Sequence, residues 1–433
     1  MAPGTGKTLV AIRAAIGPIL VICRRDDFLT WNTELKLEGV ERHQMEFIQS
    51  GAHRLNQINA MSDFGVKWFF VTYDLVKNSV IYEWIKHSPF NTVIADESHM
   101  IKRWESKRTK AVIRATRHIK RRLALTGSPI TNEVMDVFSQ ALFIDNGQTF
   151  GNSQWYFKQR YYLQSGPGWY PRKKAKDEIA SKLPAISFHV HEDDVLTLPP
   201  IRRYRKSAPM HRTQRIHYEE ILTEFETVLN GGSIIEVDYI VTQVAKLRQV
   251  ASGFLYDENH DTHEFPCPKL DVLFDLLENP YYLGIKPKIV IWCSFTAEIV
   301  RIARIAQNRG ISTVQFMGSK RREKENARIR FRDDPTVRLF IGQVDSGVGM
   351  NELVVADSAV YYSNSHKVVS RQQSMRRTRR IGSERHKAIT YVDLITEGSV
   401  DEKVLECIGN KMSIATFILD QLKNGHRIRE ILK

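Results

Sequence analysis

NTVIADESH, residues 91–99, is an apolar run that ends abruptly in two adjacent acids, Asp96 and Glu97. Val93, Ile94 and Ala95 show no polar alternation, which is how a strand buried on both faces of a parallel sheet reads. Three other stretches share that character: PILVICR (18–24), KWFFVTY (67–73) and RLALTGS (122–128). Helical spacing falls between them, as in LVAIRAAIG (9–17) and SKRTKAVIRATRHI (106–119). Strands alternating with helices predict an α/β fold, a parallel sheet covered by helices on both faces.

The pattern changes further along. From about residue 133 to 266 it is mostly helical, interrupted by QSGPGWYPRKKAKD (164–177) and by VLTLPPIRRYRKS (195–207), where the paired prolines punctuate the chain. Alternation returns near residue 269, with KIVIWCSF (288–295), ISTVQFM (311–317), VRLFIGQ (337–343), DSAVYYS (357–363) and AITYVDLI (388–395) as strands. The expected division is a first α/β lobe over 1–200 with a helical insertion from about 133, a helical linker over 201–267, and a second α/β lobe over 268–433.

Bulk properties narrow the function. At 433 residues the chain exceeds one hydrophobic core. The surplus of 63 basic over 49 acidic residues, 63 − 49 = +14, favours a polyanionic partner, nucleic acid first, although a solvated basic surface fits the charge alone as well. The four cysteines (Cys23, Cys267, Cys293, Cys407) form no CxxC pair, which argues against a zinc site or a disulfide framework. No apolar stretch has membrane-spanning length and no secretory signal opens the chain, so a reducing, cytoplasmic setting is expected.

The chain opens with MAPGTGKT. Gly4 and Gly6 let the backbone turn tightly around Thr5, so that successive N–H groups can face phosphate oxygens. Lys7 can reach the β- and γ-phosphates, and Thr8 offers a hydroxyl to Mg²⁺ at a helix start. The acids at the end of 91–97 complement this loop: Asp96 to hold the metal through water, Glu97 to orient and deprotonate an attacking water. An Asp-Glu pair at a strand end is weak evidence alone; with the phosphate loop it becomes strong evidence for a Mg²⁺-assisted phosphate site.

The ordered motifs MAPGTGKT, VICRRDDFLTWNTEL, VTYDLV, DESH, LTGSPITN, IWCSF, GQVDSGVGMNE and RQQSMRRTRRIG resemble those of superfamily-two helicases, the DEAD/DEAH-like two-lobe ATPases. The linking segments IKRWESKRTKAV, FSQALFID, DDVLTLPP, KLRQVASG and YVDLITEGSVDEKVL resemble the Swi/Snf-like branch, and the likeness runs to about residue 410. The resemblance implies two RecA-like parallel-sheet lobes with a helical insertion between them. It implies that Lys7, Asp96 and Glu97 serve ATP hydrolysis, and that Gln373, Arg377 and Arg380 reach the γ-phosphate as a positive clamp. It places Gly347 and Gly349 at the nucleotide, and Thr126, Gly127 and Ser128 in the segment that couples hydrolysis to lobe movement. Arg24, Arg25, Trp31, Thr72, Tyr73, Ser294, Phe295, Gly318, Ser346 and Asn351 would face nucleic acid, with Asp345 beside them. Such contacts hold the backbone and carry no sequence information, as a motor that steps along any sequence requires. The basic runs Arg202, Arg203, Arg205, Lys206 and Lys320, Arg321, Arg322, Lys324 could add affinity or be solvated faces, and Trp155 and Trp169 read as core of the insertion.

The implied function is a DNA-stimulated ATPase translocating on double-stranded DNA, of bacterial or phage type. A strand-separating DNA or RNA helicase is the alternative within the class, and a nucleic-acid clamp without turnover the alternative outside it. A metabolic P-loop kinase fails on the second lobe and its arginine motif. The family has a strand and a glutamine-bearing, adenine-recognising segment before the phosphate loop, and the sequence starts at the loop. A truncated sequence is the expectation, a late start site or a second chain supplying the strand the alternatives, and a partner protein is expected to supply targeting. GVGMNELVV carries about one residue more than the family segment, and Ser383 stands where the family has glutamine.

Overall fold

The computed structural model describes residues 6–48, 65–127, 134–165, 168–190, 197–230, 237–279, 288–318, 321–345, 350, 352–365, 367–410 and 412–432. Contacts divide the chain into two compact units, Met1–Leu196 and Thr197–Lys433.

The first unit is built on five parallel strands: β1 (Ile19–Cys23), β2 (Met45–Phe47), β3 (Trp68–Thr72), β4 (Thr92–Asp96) and β5 (Arg121–Leu125). They lie in the order β2-β3-β1-β4-β5. All of β1 is buried, as its ILVIC sequence requires when helices cover both faces. Helices α1 (Lys7–Ala14), α2 (Phe28–Leu37), α3 (Ser79–His87) and α4 (Lys107–Thr116) follow the expected alternation. Ser106 caps α4 by accepting from the Thr109 N–H, one of the donors a helix start leaves orphaned. One core face joins α1 and α2 through Ala11, Ile12, Trp31 and Leu35 to Val21, Phe70 and Ile94 of the sheet. The opposite face is larger and extends into the insertion: α5 (Asp136–Asp145), α6 (Gln154–Tyr161), the antiparallel hairpin β6 (Tyr162–Ser165) and β7 (Gly168–Pro171), and α7 (Ala175–Lys182). The hairpin is not announced by the helical pattern. The expectation that Trp155 is core is corrected: it is 58% exposed, because its neighbour Phe157 takes the inward place on α6.

β5 differs from its neighbours. It pairs with β4 on one side, and among the described residues no strand pairs with the other. Its Leu123, Ala124 and Leu125 are half-buried and line a groove of about 270 Å³ with Val10, Val137 and Ile144.

The second unit begins with β8 (Ile201–Ala208), followed by α8 (Arg212–Asn230), α9 (Val237–Ala251), the hairpin β9 (Phe254–Tyr256) and β10 (Thr262–Glu264), and α10 (Pro268–Glu278). Strands β11 (Ile289–Cys293), β12 (Thr313–Phe316), β13 (Leu339–Gln343), β14 (Ser358–Tyr361) and β15 (Ile389–Thr396) complete a parallel sheet of order β12-β13-β11-β14-β15-β8. Helices α11 (Thr296–Asn308), α12 (Arg321–Asp333), α13 (Val368–Thr378), α14 (Val400–Gly409), α15 (Ile414–Lys423) and α16 (Ile428–Ile431) pack around it. Residues 201–208, expected within a helical linker, instead form an edge strand along the whole length of β15. The reason is tertiary. IRRYRKS is too polar to read as a core strand, but a strand with one free edge needs only one partner. α8 and α9 share a core with α14, α15 and α16, so the middle of the chain belongs to the second unit. No helix among the described residues is long and apolar enough to cross a membrane.

Candidate nucleotide site

The acid pair sits where β4 ends. Glu97 adopts a left-handed backbone, φ 50 and ψ 54, a conformation uncommon outside glycine and typical of functional turns. This turn separates the two carboxylates. The Asp96 carboxylate accepts from the Glu97 N–H at 3.0 Å through Oδ1, and from the indole Nε1–H of Trp31 at 2.8 Å through Oδ2. The Tyr73 hydroxyl donates to the Asp96 backbone carbonyl at 2.6 Å. Asp96 at the end of β4 is thus held by α2 through its carboxylate and by the residue after β3 through its backbone carbonyl.

Trp31 and Tyr73 were expected to face nucleic acid, and this is corrected. Both are buried, and the polar atom of each is committed to Asp96. Arg24, also expected at nucleic acid, is half-buried and its Nε donates to the buried Asp27 at 3.2 Å. Arg25 is exposed, as is Gly318, and Thr72 is half-buried with its hydroxyl accepting from the Leu75 N–H.

Asp27 is a residue that motif reading passed over. It makes a third carboxylate at this strand end, and burial, then Asp27, then Glu97 push the Asp96 pKa up to about 7. Trp31 and Lys7 oppose that rise. Glu97 goes the other way. Burial is the largest influence and raises it, but the His99 hydrogen bond, Lys7 and Arg24 together hold it below its usual value. His99 Nδ1 lies 3.1 Å from the Glu97 carboxylate. The two acids therefore differ: Glu97 is held ionised, and Asp96 carries negative charge that its neighbours do not offset.

Gly6, with φ 79, forms the N-cap of α1, and Lys7 and Thr8 open the helix where its dipole favours anions. Lys7 acts electrostatically on both Asp96 and Glu97. The surplus negative charge around Asp96 fits a divalent cation. Mg²⁺ is commonly held by one or two carboxylates together with phosphate oxygens and water, a set that Asp96 could join. Behind the acids, the buried Ser98 donates to Gln140 at 2.8 Å, whose amide donates to the Asp136 carbonyl. This ties the acid strand to α5, the helix after the coupling segment. Thr126 lines the same groove as Lys7 and Ser98, and Gly127 is half-buried beside it.

In the second unit, Gln373 and Arg377 lie on α13 at i and i+4, hence on one face. Arg377 is only 5% exposed, its guanidinium carbon 5.0 Å from the centre of the Trp292 ring. Arg380 follows the helix in a turn closed by Ser383, whose hydroxyl accepts from the Arg380 N–H. The serine that replaces the family's glutamine therefore still has a structural place. Ser294 and Phe295, half-buried, meet a side chain whose role the sequence did not disclose. Arg248 of α9 is buried, donates to the Ser294 hydroxyl at 2.6 Å and lies 5.1 Å from the Phe295 ring. The exposed Asp345 accepts from Ser365 and pairs with Lys367 at 3.4 Å. Gly4, Thr5, Ser128, Ser346, Gly347, Gly349 and Asn351 lie outside the described residues.

The chain is similar to several known proteins. A family profile described as the SNF2-related domain matches residues 4–252. "Putative protein p41" of the Acyrthosiphon pisum secondary endosymbiont phage 1 is 24% identical over 77% of this chain and 73% of its own. The TATA-binding protein-associated factor MOT1 of Saccharomyces cerevisiae is 22% identical over 94% of this chain, which spans only 24% of that relative's length. The Sulfolobus solfataricus SWI2/SNF2 ATPase core domain is 18% identical, covering 100% of this chain and 89% of its own, with a TM-score of 0.42. With the profile covering more than half of its residues, the chain belongs to the SNF2-related domain family.

Proposed function

We propose that this chain is an ATP-hydrolysing, Mg²⁺-dependent motor that is stimulated by nucleic acid and translocates on duplex DNA. The observation that carries the reading is the buried Asp96–Glu97 turn, held by Trp31 and Tyr73 and faced by Lys7. Mg²⁺, held by Asp96 and Thr8, would neutralise phosphate charge. Lys7 and the N–H groups opening α1 bind and orient the triphosphate. Glu97, kept ionised, accepts the proton of the water that attacks the γ-phosphorus as the bond to the ADP oxygen breaks. Arg377 and Arg380 supply positive charge to the transferring phosphoryl group, with Gln373 beside them. Clamps of this kind contribute roughly 10³–10⁵ in rate. The surplus of 63 − 49 = +14 charges supports a polyanionic track, and the likeness to a TATA-binding protein-associated factor favours DNA.

The test is ATP turnover with no nucleic acid, single-stranded DNA, duplex DNA or RNA, alongside Glu97→Gln. Strong stimulation by duplex DNA, abolished in the variant, is expected. A strand-separating helicase has one observation in its favour, the exposure of Trp155, Tyr156 and Tyr170, since aromatic faces stack on unpaired bases. Stimulation by single strands alone would select it. Binding without turnover would select a clamp.

A further inference from the structure

β8 caps its sheet with an unusual composition. Ile201–Ala208 contains Arg202, Arg203, Arg205 and Lys206, and no acid. Its first five residues are all exposed. One backbone edge is satisfied by β15, and among the described residues no strand pairs with the other. Arg203 and Arg205 stand opposite Tyr391 and Asp393 and so project on one face, while Arg202, Tyr204 and Lys206 project on the other. The Asp393 carboxylate is already bound by Arg371 and Asn364. No ion pair among the described residues engages Arg202, Arg203 or Arg205. The strand is also anchored at its start, where Arg379 donates to the Pro199 carbonyl at 2.8 Å.

Protection against edge-to-edge pairing needs a lysine or two, not four cations in eight residues. Three of the four are arginine, whose planar fork grips phosphate bidentately. Side chains two residues apart on a strand stand about 6.7 Å apart, a distance comparable to the separation of successive phosphates along a nucleic-acid strand. We propose that the free edge of β8 is a phosphate-backbone track, on which Arg203 and Arg205 hold neighbouring phosphates of bound nucleic acid. The inference rests on the nucleic-acid reading above and adds a contact outside the strand-end loops that motif reading singled out.

The experiment measures duplex affinity of the full chain against salt concentration for wild type, Arg203→Ala/Arg205→Ala and Arg203→Lys/Arg205→Lys. Each phosphate contact contributes about 0.9 to the slope of log K on log salt, so the alanine pair should lower it by about 1.8. The lysine pair should keep the wild-type slope with weaker binding. Arg304→Ala/Arg309→Ala, exposed cations elsewhere in the same unit, serves as the charge control and should leave the slope in place. A wild-type slope in the alanine pair, with duplex bound normally, overturns the β8 track and leaves the motor reading standing. So does a slope loss of the same size in the control. Absence of salt-sensitive binding by wild type to duplex, single strand and RNA removes both readings. Loss of binding to phosphatidylserine vesicles, with duplex binding unchanged, would assign the edge to an anionic membrane and overturn the proposal.

Discussion

The two sheets of this protein share a plan and finish it differently. β1 and β11 are the central strands, each fully buried and each ending in a cysteine, Cys23 and Cys293. Outward on one side lie β3 and β2, or β13 and β12; on the other lie β4 and β5, or β14 and β15. The second sheet then adds β8, and β15 is buried along all eight residues. The first sheet stops at β5, which stays half-exposed above an apolar groove beside Lys7. The same alternation of strands and helices therefore leaves β15 covered by a further strand and β5, among the described residues, without one. The units also differ in the charges at the positions singled out above: the first gathers the carboxylates Asp27, Asp96 and Glu97, and the second buries Arg248, Arg371 and Arg377 together with the acids Glu298 and Asp393.

Matched substitutions on the two strands should part most widely. Val392→Lys puts an unpaired charge in the core of a closed sheet and should cost upwards of about 4 kcal/mol, enough to unfold the second unit. Leu123→Lys, at the same place relative to its central strand, should cost about 1–2 kcal/mol, because its ammonium can reach water along the open edge. Equal losses in denaturant melts would mean that the β5 edge is covered in solution.

The charge division is tested next by Arg377→Ala, expected to slow hydrolysis about 10³-fold while leaving the melting of the first unit unchanged. A smaller loss than tenfold would show that burial over Trp292 is the residue's main role.

Asp96→Asn probes the acid side, and the sign is decided by linkage. The Asp96 pKa is about 7 in the folded chain against 3.8 ordinarily, so between those values only the folded state holds the proton. Its stability contribution is full below about pH 4, declines as pH rises to about 7, and is absent above. Without Mg²⁺ or nucleotide, the variant should therefore melt higher than wild type at pH 8, by several degrees for about 1–3 kcal/mol, with the gap closing towards pH 4. Added Mg·ATP should narrow it for the opposite reason, by stabilising wild type. A gap independent of pH would show that Asp96 is not the titrating group.

The smallest effect is expected from Trp31→Phe, which keeps the ring packing and removes the bond to Asp96. About 1 kcal/mol of stability should go, and the Mg²⁺ concentration for half-maximal hydrolysis should rise more than the maximal rate falls. A fall in rate at saturating Mg²⁺ alone would point to loosened packing instead.

Much of this was legible beforehand. The runs 19–23, 68–71, 93–95 and 289–293 specify buried strands because they hold no charged or strongly polar side chain that could face water, and Lys7, Asp96 and Glu97 stand out by chemistry and order. What the sequence did not reveal has a common cause. β8 is polar and becomes a strand only because β15 offers an edge, and Met45–Phe47 is too short to carry a pattern. The family resemblance pointed Trp31 and Tyr73 at nucleic acid, whereas the packing of α2 and of the end of β3 against β4 turns them inward onto Asp96. Asp27 and Arg248 looked like ordinary surface charges, and their burial beside Asp96 and Ser294 follows from packing between segments distant in the chain. Local patterning determined which segments are strands and which residues carry the chemistry. Only the tertiary structure decided which strand receives a further partner, which aromatics are spent on Asp96 and which charges are taken out of water, because each of these depends on what a remote segment brings alongside.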